Sequence, residues 1–84
     1  MKKVNLTDAD LAIIKPAICS CWGAIASDVL DMGDCDNEQA IECCIDADRL
    51  HDHSPLADAI ITRLAKETSY NAVLKALAKK IPLV

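Results

Sequence analysis

Residues 54–82 read SPLADAIITRLAKETSYNAVLKALAKKIP, and this stretch decides the fold. Ser54 and Pro55 are typical of a helix start, because serine caps the first turn and proline fits the first helical position. Apolar residues follow at intervals of three and four, the period of a helix with one buried face. The predicted inner positions are Leu56, Ala57, Ile60, Ile61 and Leu64.

A second helix follows in the same stretch. Thr68-Ser69 is a further capping signal, and the helix predicted from Tyr70 to about Lys80 stops before Pro82, which cannot continue it. Two helices joined by so short a turn pack against each other in a compact bundle. The positions expected to be buried are Val73, Leu74, Leu77 and Ile81.

The N-terminal third predicts one or two further helices. Thr7 is a suitable N-cap, and Gly33 stands where a helix commonly ends. Pro16 favours a break near Ile14–Lys15, with a new helix beginning at the proline. The inner positions predicted here are Ile14, Ile18, Cys21, Trp22, Ile25, Val29 and Met32.

A middle helix is predicted from a cap at Asp36 to about Leu50, and the His51-Asp52-His53 segment ends it. The chain is therefore expected to be all-α, a compact bundle of four to five short helices in a single domain of residues 1–84. The inner positions predicted for the middle helix are Ala40, Ile41, Cys43, Cys44, Ile45, Ala47 and Leu50.

Composition agrees with a helical core. Of the 84 residues 52% are apolar, none is Phe, and thirteen are Ala, the best helix former and a poor strand former. The two glycines and three prolines supply too few turns for a β-sandwich. The apolar content also excludes intrinsic disorder.

The apolar run from Leu11 to Leu30 is expected to be a buried core helix, because Lys15, Pro16 and Asp28 interrupt it. Five cysteines without a recognisable signal peptide favour a reducing, cytoplasmic location. Cys19, Gly23 and Ser27 form a strip of small residues, which raises the possibility of a homodimer.

Charge is divided unevenly along the chain. Residues 28–58 contain ten acidic residues and one basic residue, Arg49, for a net charge of −9, whereas residues 59–84 have a net charge of +4. Glu38, Glu42 and Asp46 recur every four residues and form one acidic ridge on the predicted middle helix. A solvated helix face explains such a ridge, and so does a docking surface for a basic partner.

Metal-binding and catalytic sites are not expected. Cys43-Cys44 and His51-Asp52-His53 lack the paired spacing of a structural zinc site, since adjacent helical residues face different directions. No nucleophile or glycine-rich turn accompanies the two histidines. We therefore expect no metal, no cofactor and no enzymatic activity.

Residues 61–75 resemble the helix-turn-helix family, with a helix, a short polar turn and a second helix. The resemblance implies that Ser69, Tyr70 and Asn71 contact base edges at the start of a recognition helix. The resemblance also implies that Lys75, Lys79 and Lys80 contact phosphates.

The favoured function is protein–protein interaction, by a small regulator, inhibitor or adaptor of bacterial or phage type. Its partner is expected to present a basic surface, with nucleic acid less favoured and no membrane contact. The alternative is a DNA-binding transcriptional regulator that uses residues 61–80. The acidic face expected to bind the partner comprises Asp34, Asp36, Glu38, Glu42 and Asp46.

Overall fold

A computed structural model describes residues 3–31, 33 and 35–84, without the side chains of Leu30 and Ala47. All regular structure in these residues is helical, which confirms the predicted all-α fold. A 3₁₀ turn at Asp46–Asp48 lies between the second and third of the α-helices. The α-helices are α1 (Asp8–Asp31), α2 (Asn37–Ile45), α3 (Arg49–His53), α4 (Pro55–Glu67) and α5 (Tyr70–Lys80).

Pro16 does not divide the first helix, so the predicted break near Ile14–Lys15 is wrong. α1 continues through the proline for 24 residues and is therefore not short. A proline in a helix interior removes a backbone hydrogen bond and costs about 3 kcal/mol. Ile14 and Ile18 are both fully buried, one turn apart and on either side of the proline. A break at Pro16 would move one of these two side chains out of the core, so their burial keeps the helix continuous.

The predicted middle helix from Asp36 to about Leu50 is divided in the structure, so its predicted extent is wrong. α2 ends before the 3₁₀ turn at Asp46–Asp48, and α3 begins after it. Asp48 has φ 57° and ψ 19°, in the left-handed region. Asp is one of the few residues other than glycine that visits this region, because its short polar side chain tolerates it. Because Asp48 adopts a left-handed backbone conformation, the right-handed helix cannot continue through it, and α2 and α3 are separate helices.

The four predicted N-caps are confirmed. In each, a side-chain oxygen accepts a hydrogen bond from the backbone N–H three residues later. At α2 the side chain of Gln39 also accepts from the backbone N–H of Asp36, at 3.1 Å, and completes a capping box. The capping residues are Thr7, Asp36, Ser54 and Ser69.

Most predicted inner positions are buried in one shared core. Leu56 is an exception, because it lies in the first turn of α4 with 59% of its surface exposed. Met32 lies outside the described residues, as does the side chain of Ala47. The half-buried positions are Ile25, Val29, Cys43 and Ile45. The buried residues are Ile14, Ile18, Cys21, Trp22, Ala40, Ile41, Cys44, Leu50, Ala57, Ile60, Ile61, Leu64, Val73, Leu74, Leu77 and Ile81.

The helices pack in layers. α2 and α4 form the middle, since each contacts both α1 and α5, and the short α3 packs against α1, α2 and α4. α2 and α5 are antiparallel: Asn37, the first residue of α2, bonds to the C-terminal end of α5. This packing determines which charged residues of α2 lie beside which end of α5.

α1 is long and apolar enough to cross a membrane by length and composition, over Asp8–Val29. In its most apolar window 22% of the residues are buried in the bundle. The sequence prediction of a buried core helix therefore describes one face of α1, which includes Ile14, Ile18 and Cys21.

Two buried thiols join α1 to α2. Cys21 Sγ lies 3.6 Å from the carbonyl oxygen of Cys44, and Cys44 Sγ lies 3.8 Å from that of Ile18, so each thiol is directed at a backbone acceptor. Burial raises the pKa of both thiols, that of Cys44 from 9.0 to about 12. These thiols therefore act as small core side chains that stay protonated at neutral pH.

The raised pKa of Cys44 predicts a loss of stability in alkali. The thiol of Cys44 makes its full contribution to the free energy of unfolding below pH 9.0, where it is protonated in the folded and unfolded states alike. Between pH 9.0 and about 12 the unfolded thiol ionises while the folded one does not. The free energy of unfolding should then fall, by at most about 1.4 kcal/mol per pH unit for one thiol. Urea unfolding at pH 8, 9 and 10 measures this slope.

Cys44→Ala is the control for the alkaline slope. It should lower stability at every pH because it leaves a small cavity, but its stability should depend less steeply on pH above 9.0. Equal slopes in the variant and the parent protein would show that other groups cause the alkaline loss.

Candidate protein-binding surface

Four of the five predicted acidic-face residues lie in the described part of the chain, and Asp34 lies outside it. We call these four, Asp36, Glu38, Glu42 and Asp46, the acidic face. Asp36 is exposed but also caps α2, because its carboxylate accepts from the N–H of Gln39 at 2.8 Å. Its charge is therefore explained in part by helix capping.

The ridge itself is shorter than the sequence indicates. Glu38 and Glu42 are one turn apart in α2, with Glu38 half-buried and Glu42 exposed. Asp46 is exposed too, but it lies in the 3₁₀ turn after the end of α2. Like charges one turn apart cost a few tenths of a kcal/mol, roughly 0.2–0.5, in an isolated helix. The fold therefore holds these acids together against their mutual repulsion.

No basic side chain neutralises the acidic face within residues 3–31, 33 and 35–84. The ion pairs found there join Arg63 to Asp10 at 3.0 Å and His51 to Asp58 at 3.3 Å. Arg49, the one basic residue of the 28–58 segment, donates instead to the carbonyl oxygen of Cys43 at 3.4 Å. The carboxylates of the acidic face thus have no ion-pair partner among the described residues.

An exposed aromatic ring lies within the electrostatic influence of the acidic face. Tyr70 is the first residue of α5 and 40% of its surface is exposed. Burial raises the pKa of its phenol, and the charges of Glu42 and Asp46 raise it further. Tyrosine is enriched at protein interfaces and among their strongest contacts. Sequence reasoning missed this neighbour because it depends on the packing of α2 against α5.

The candidate nucleic-acid residues are separated by the length of α5. Ser69 caps the helix, and the charges of Glu42 and Asp46 raise the pKa of Tyr70. Asn71 is exposed beside them. Lys75, Lys79 and Lys80 continue toward the opposite end of the helix and are exposed. The charges of Glu42 and Asp46, which reach Tyr70, oppose the approach of phosphates to this end of the helix.

The remaining candidate residues are dispersed. Cys44 is buried, Cys43 is half-buried, and His51 Nδ1 lies 3.3 Å from a carboxylate oxygen of Asp58. Among the residues that the structure describes, no group of three or more His, Cys, Asp or Glu side chains is placed to hold a metal ion. Cys19, Gly23 and Ser27 are exposed together on the outer side of α1.

No protein-family model matches this sequence, and neither a curated protein nor a solved structure is detectably similar to it.

Proposed function

We propose that this protein is a small, non-enzymatic interaction module whose acidic face binds a basic surface of another protein. One observation carries the proposal: the carboxylates of α2 and the following turn have no ion-pair partner within the described residues, and exposed Tyr70 is close enough for the charges of Glu42 and Asp46 to raise its pKa. Charge supplies long-range attraction and selects the sign of the partner. The phenol ring supplies contact area that a solvated charge cluster lacks.

A protein partner fits this surface better than nucleic acid. The phosphate backbone is uniformly negative and is attracted by clustered Lys and Arg. Here the charges of Glu42 and Asp46 act on Tyr70 and raise its pKa, at the start of α5 where base contacts would begin. A basic protein surface, such as one that itself binds nucleic acid, complements both the carboxylates and the hydroxyl of the ring.

The test uses two baits of equal charge. One bait carries Glu42→Lys with Asp46→Lys, and the control carries Asp28→Lys with Asp31→Lys in the last turn of α1. All four residues are exposed, so both baits should fold. Each is used for affinity capture from native lysate at low and moderate salt, and captured proteins are re-bound as purified partners.

The control bait should retain a basic partner that the acidic-face bait loses, with affinity lowered at least tenfold. Added salt should weaken the wild-type interaction, because exposed charges are screened within about 10 Å at 0.1 M. Tyr70→Ala should also weaken it at least tenfold if the ring is a central contact. Equal loss in both baits would show that only net charge matters and would overturn the proposal.

A structural readout accompanies the capture experiment. Reversing Glu42 and Asp46 should lower the pKa of Tyr70, because both charges now raise it. Tyr70 is the only tyrosine, so its titration is observed directly by absorbance or by NMR. The Asp28/Asp31 control should leave that pKa unchanged, because neither residue is among the charges that raise it.

A further inference from the structure

An open groove runs between the N-terminal segment and the outer face of α5. Its volume is about 570 Å³, within the range of roughly 300–1,000 Å³ found for small-molecule pockets. Four lysines border it: Lys3, Lys75, Lys79 and Lys80. The remainder of its wall is aliphatic and comprises Val4, Leu6, Ala72 and Ala76.

The spacing of α5 explains how this groove forms. Successive residues are rotated by about 100° in an α-helix, so Ala72, Ala76 and Lys79 share one side. Lys75 and Lys80 flank that side in opposite directions. Val4 and Leu6 are half-buried and supply the second apolar wall from the segment before α1. The result is an aliphatic floor bordered by ammonium groups.

The positive charge of the groove has no counter-charge in its wall. No Asp or Glu lines it, and neither ion pair of the described residues involves a lysine. Lys79 and Lys80 lie in the last turn of α5, where they offset the negative end of the helix dipole. Lys3 and Lys75 have no such role. Four neighbouring cations repel one another, and a bound anion removes that repulsion.

We propose that this groove binds a small aliphatic anion, a carboxylate or phosphate headgroup on an unbranched apolar chain. The headgroup pairs with the lysines, and the chain lies along Ala72, Ala76 and Leu6. Lysine suits a compact anionic headgroup because its ammonium is a flexible point charge with three donors. Its methylene stem also extends the apolar wall.

The composition of the groove favours an aliphatic ligand over a nucleotide. Nucleobases bind by stacking on aromatic rings, and the groove contains none. Trp22 is buried in the core, and Tyr70 lies near the acids of α2. Aliphatic walls instead match a flexible hydrocarbon chain.

Decanoate is the probe, added in monomeric form to ¹⁵N-labelled full-length protein. Saturable shifts are expected in the amide signals of Leu6, Ala72 and Ala76, and added salt should weaken binding. Decanol, which lacks the charge, and inorganic phosphate, which lacks the chain, should each bind at least tenfold more weakly. Vesicles of phosphatidylglycerol without decanoate form a separate arm and should not retain the protein.

Two variants locate the site. Lys75→Gln with Lys79→Gln should weaken decanoate binding at least tenfold. Lys15→Gln with Lys66→Gln makes the same charge change at exposed positions outside the groove and should leave the affinity unchanged. Thermal unfolding without ligand shows whether each variant is folded. In the parent protein and the control, decanoate should raise the unfolding temperature because it binds only the folded state.

Four results would overturn the proposal. They are the absence of saturable shifts at the groove, equal weakening in both double variants, equal binding of decanol, and retention by vesicles alone. The last would assign the lysines to a membrane surface rather than to a single bound anion. No acidic-face residue lines the groove. A failure of the anion-binding proposal therefore does not affect the proposal that the acidic face binds a protein.

Discussion

Replacing Asn37 with alanine should lower the free energy of unfolding by about 2–3 kcal/mol, since hydrogen bonds contribute about 1 kcal/mol each. Its amide donates to the carbonyl oxygens of Ala78 at 2.7 Å and Ile81 at 2.9 Å. Its carbonyl oxygen accepts from the backbone N–H groups of Leu83 at 2.6 Å and Val84 at 3.1 Å. One side chain thus binds the end of α5 and the residues after it.

Urea unfolding followed by circular dichroism measures the loss, and hydrogen exchange locates it. Exchange at Leu83 and Val84 should accelerate most. Asn37→Asp retains the acceptor for these two amides but loses the donor, so it should lie between Asn37→Ala and the parent protein. Asn71→Ala, at an exposed asparagine of α5, is the matched control and should change stability by less than about 0.5 kcal/mol. Equal stability of the Asn37 and Asn71 variants would contradict the role of this contact.

Leu50→Ala should cost about 2–5 kcal/mol, the range for truncating a fully buried leucine. Leu50 is fully buried and is the one buried residue of the five-residue α3. So short a helix is not stable alone, and its position depends on tertiary packing. Loss of this side chain removes the main apolar contact between α3 and the core.

Leu56→Ala provides the comparison, because it makes the same chemical change at a leucine with 59% of its surface exposed. It should change stability by less than about 0.5 kcal/mol. Both values come from urea unfolding, with an unchanged slope as the sign of two-state behaviour. Similar costs at the two leucines would mean that α3 does not contribute its leucine to the core.

Local chemistry explains why the starts of α4 and α5 could be predicted. Ser54 with Pro55, and Ser69, act within their own first turns, so three or four neighbouring residues determine the outcome. The start of α2 follows the same rule through Asp36. Hydrophobic spacing likewise identified the buried faces of both last helices.

Both helix predictions that proved wrong failed because long-range packing outweighs local sequence preference. Pro16 favours a break locally, but buried residues on both of its sides keep α1 continuous. Apolar residues recur at helical spacing throughout residues 36–50, so the sequence gives no sign of the left-handed conformation at Asp48. Neither outcome is determined within a single turn of the chain.

In the candidate site, too, the local features could be predicted from the sequence and the long-range ones could not. The spacing of Glu38 and Glu42 on one helical face could be read from the sequence. The place of Tyr70 beside Glu42 could not, because α2 and α5 are brought together by the fold. The role of Asn37 carried no sequence signal at all, since its four partners lie more than 40 positions away.

The layered packing of α1 has a consequence for biosynthesis. The three helices that cover the buried face of α1 are α2, α3 and α4, and all of them follow α1 in the chain and are translated after it. Until α4 has left the ribosome, Ile14, Ile18 and Trp22 therefore lack their full set of neighbours. Transient exposure of such apolar surface promotes aggregation and recruits chaperones. Ribosome-bound chains that end before α4 should accordingly be richer in bound chaperone than chains that extend beyond α5.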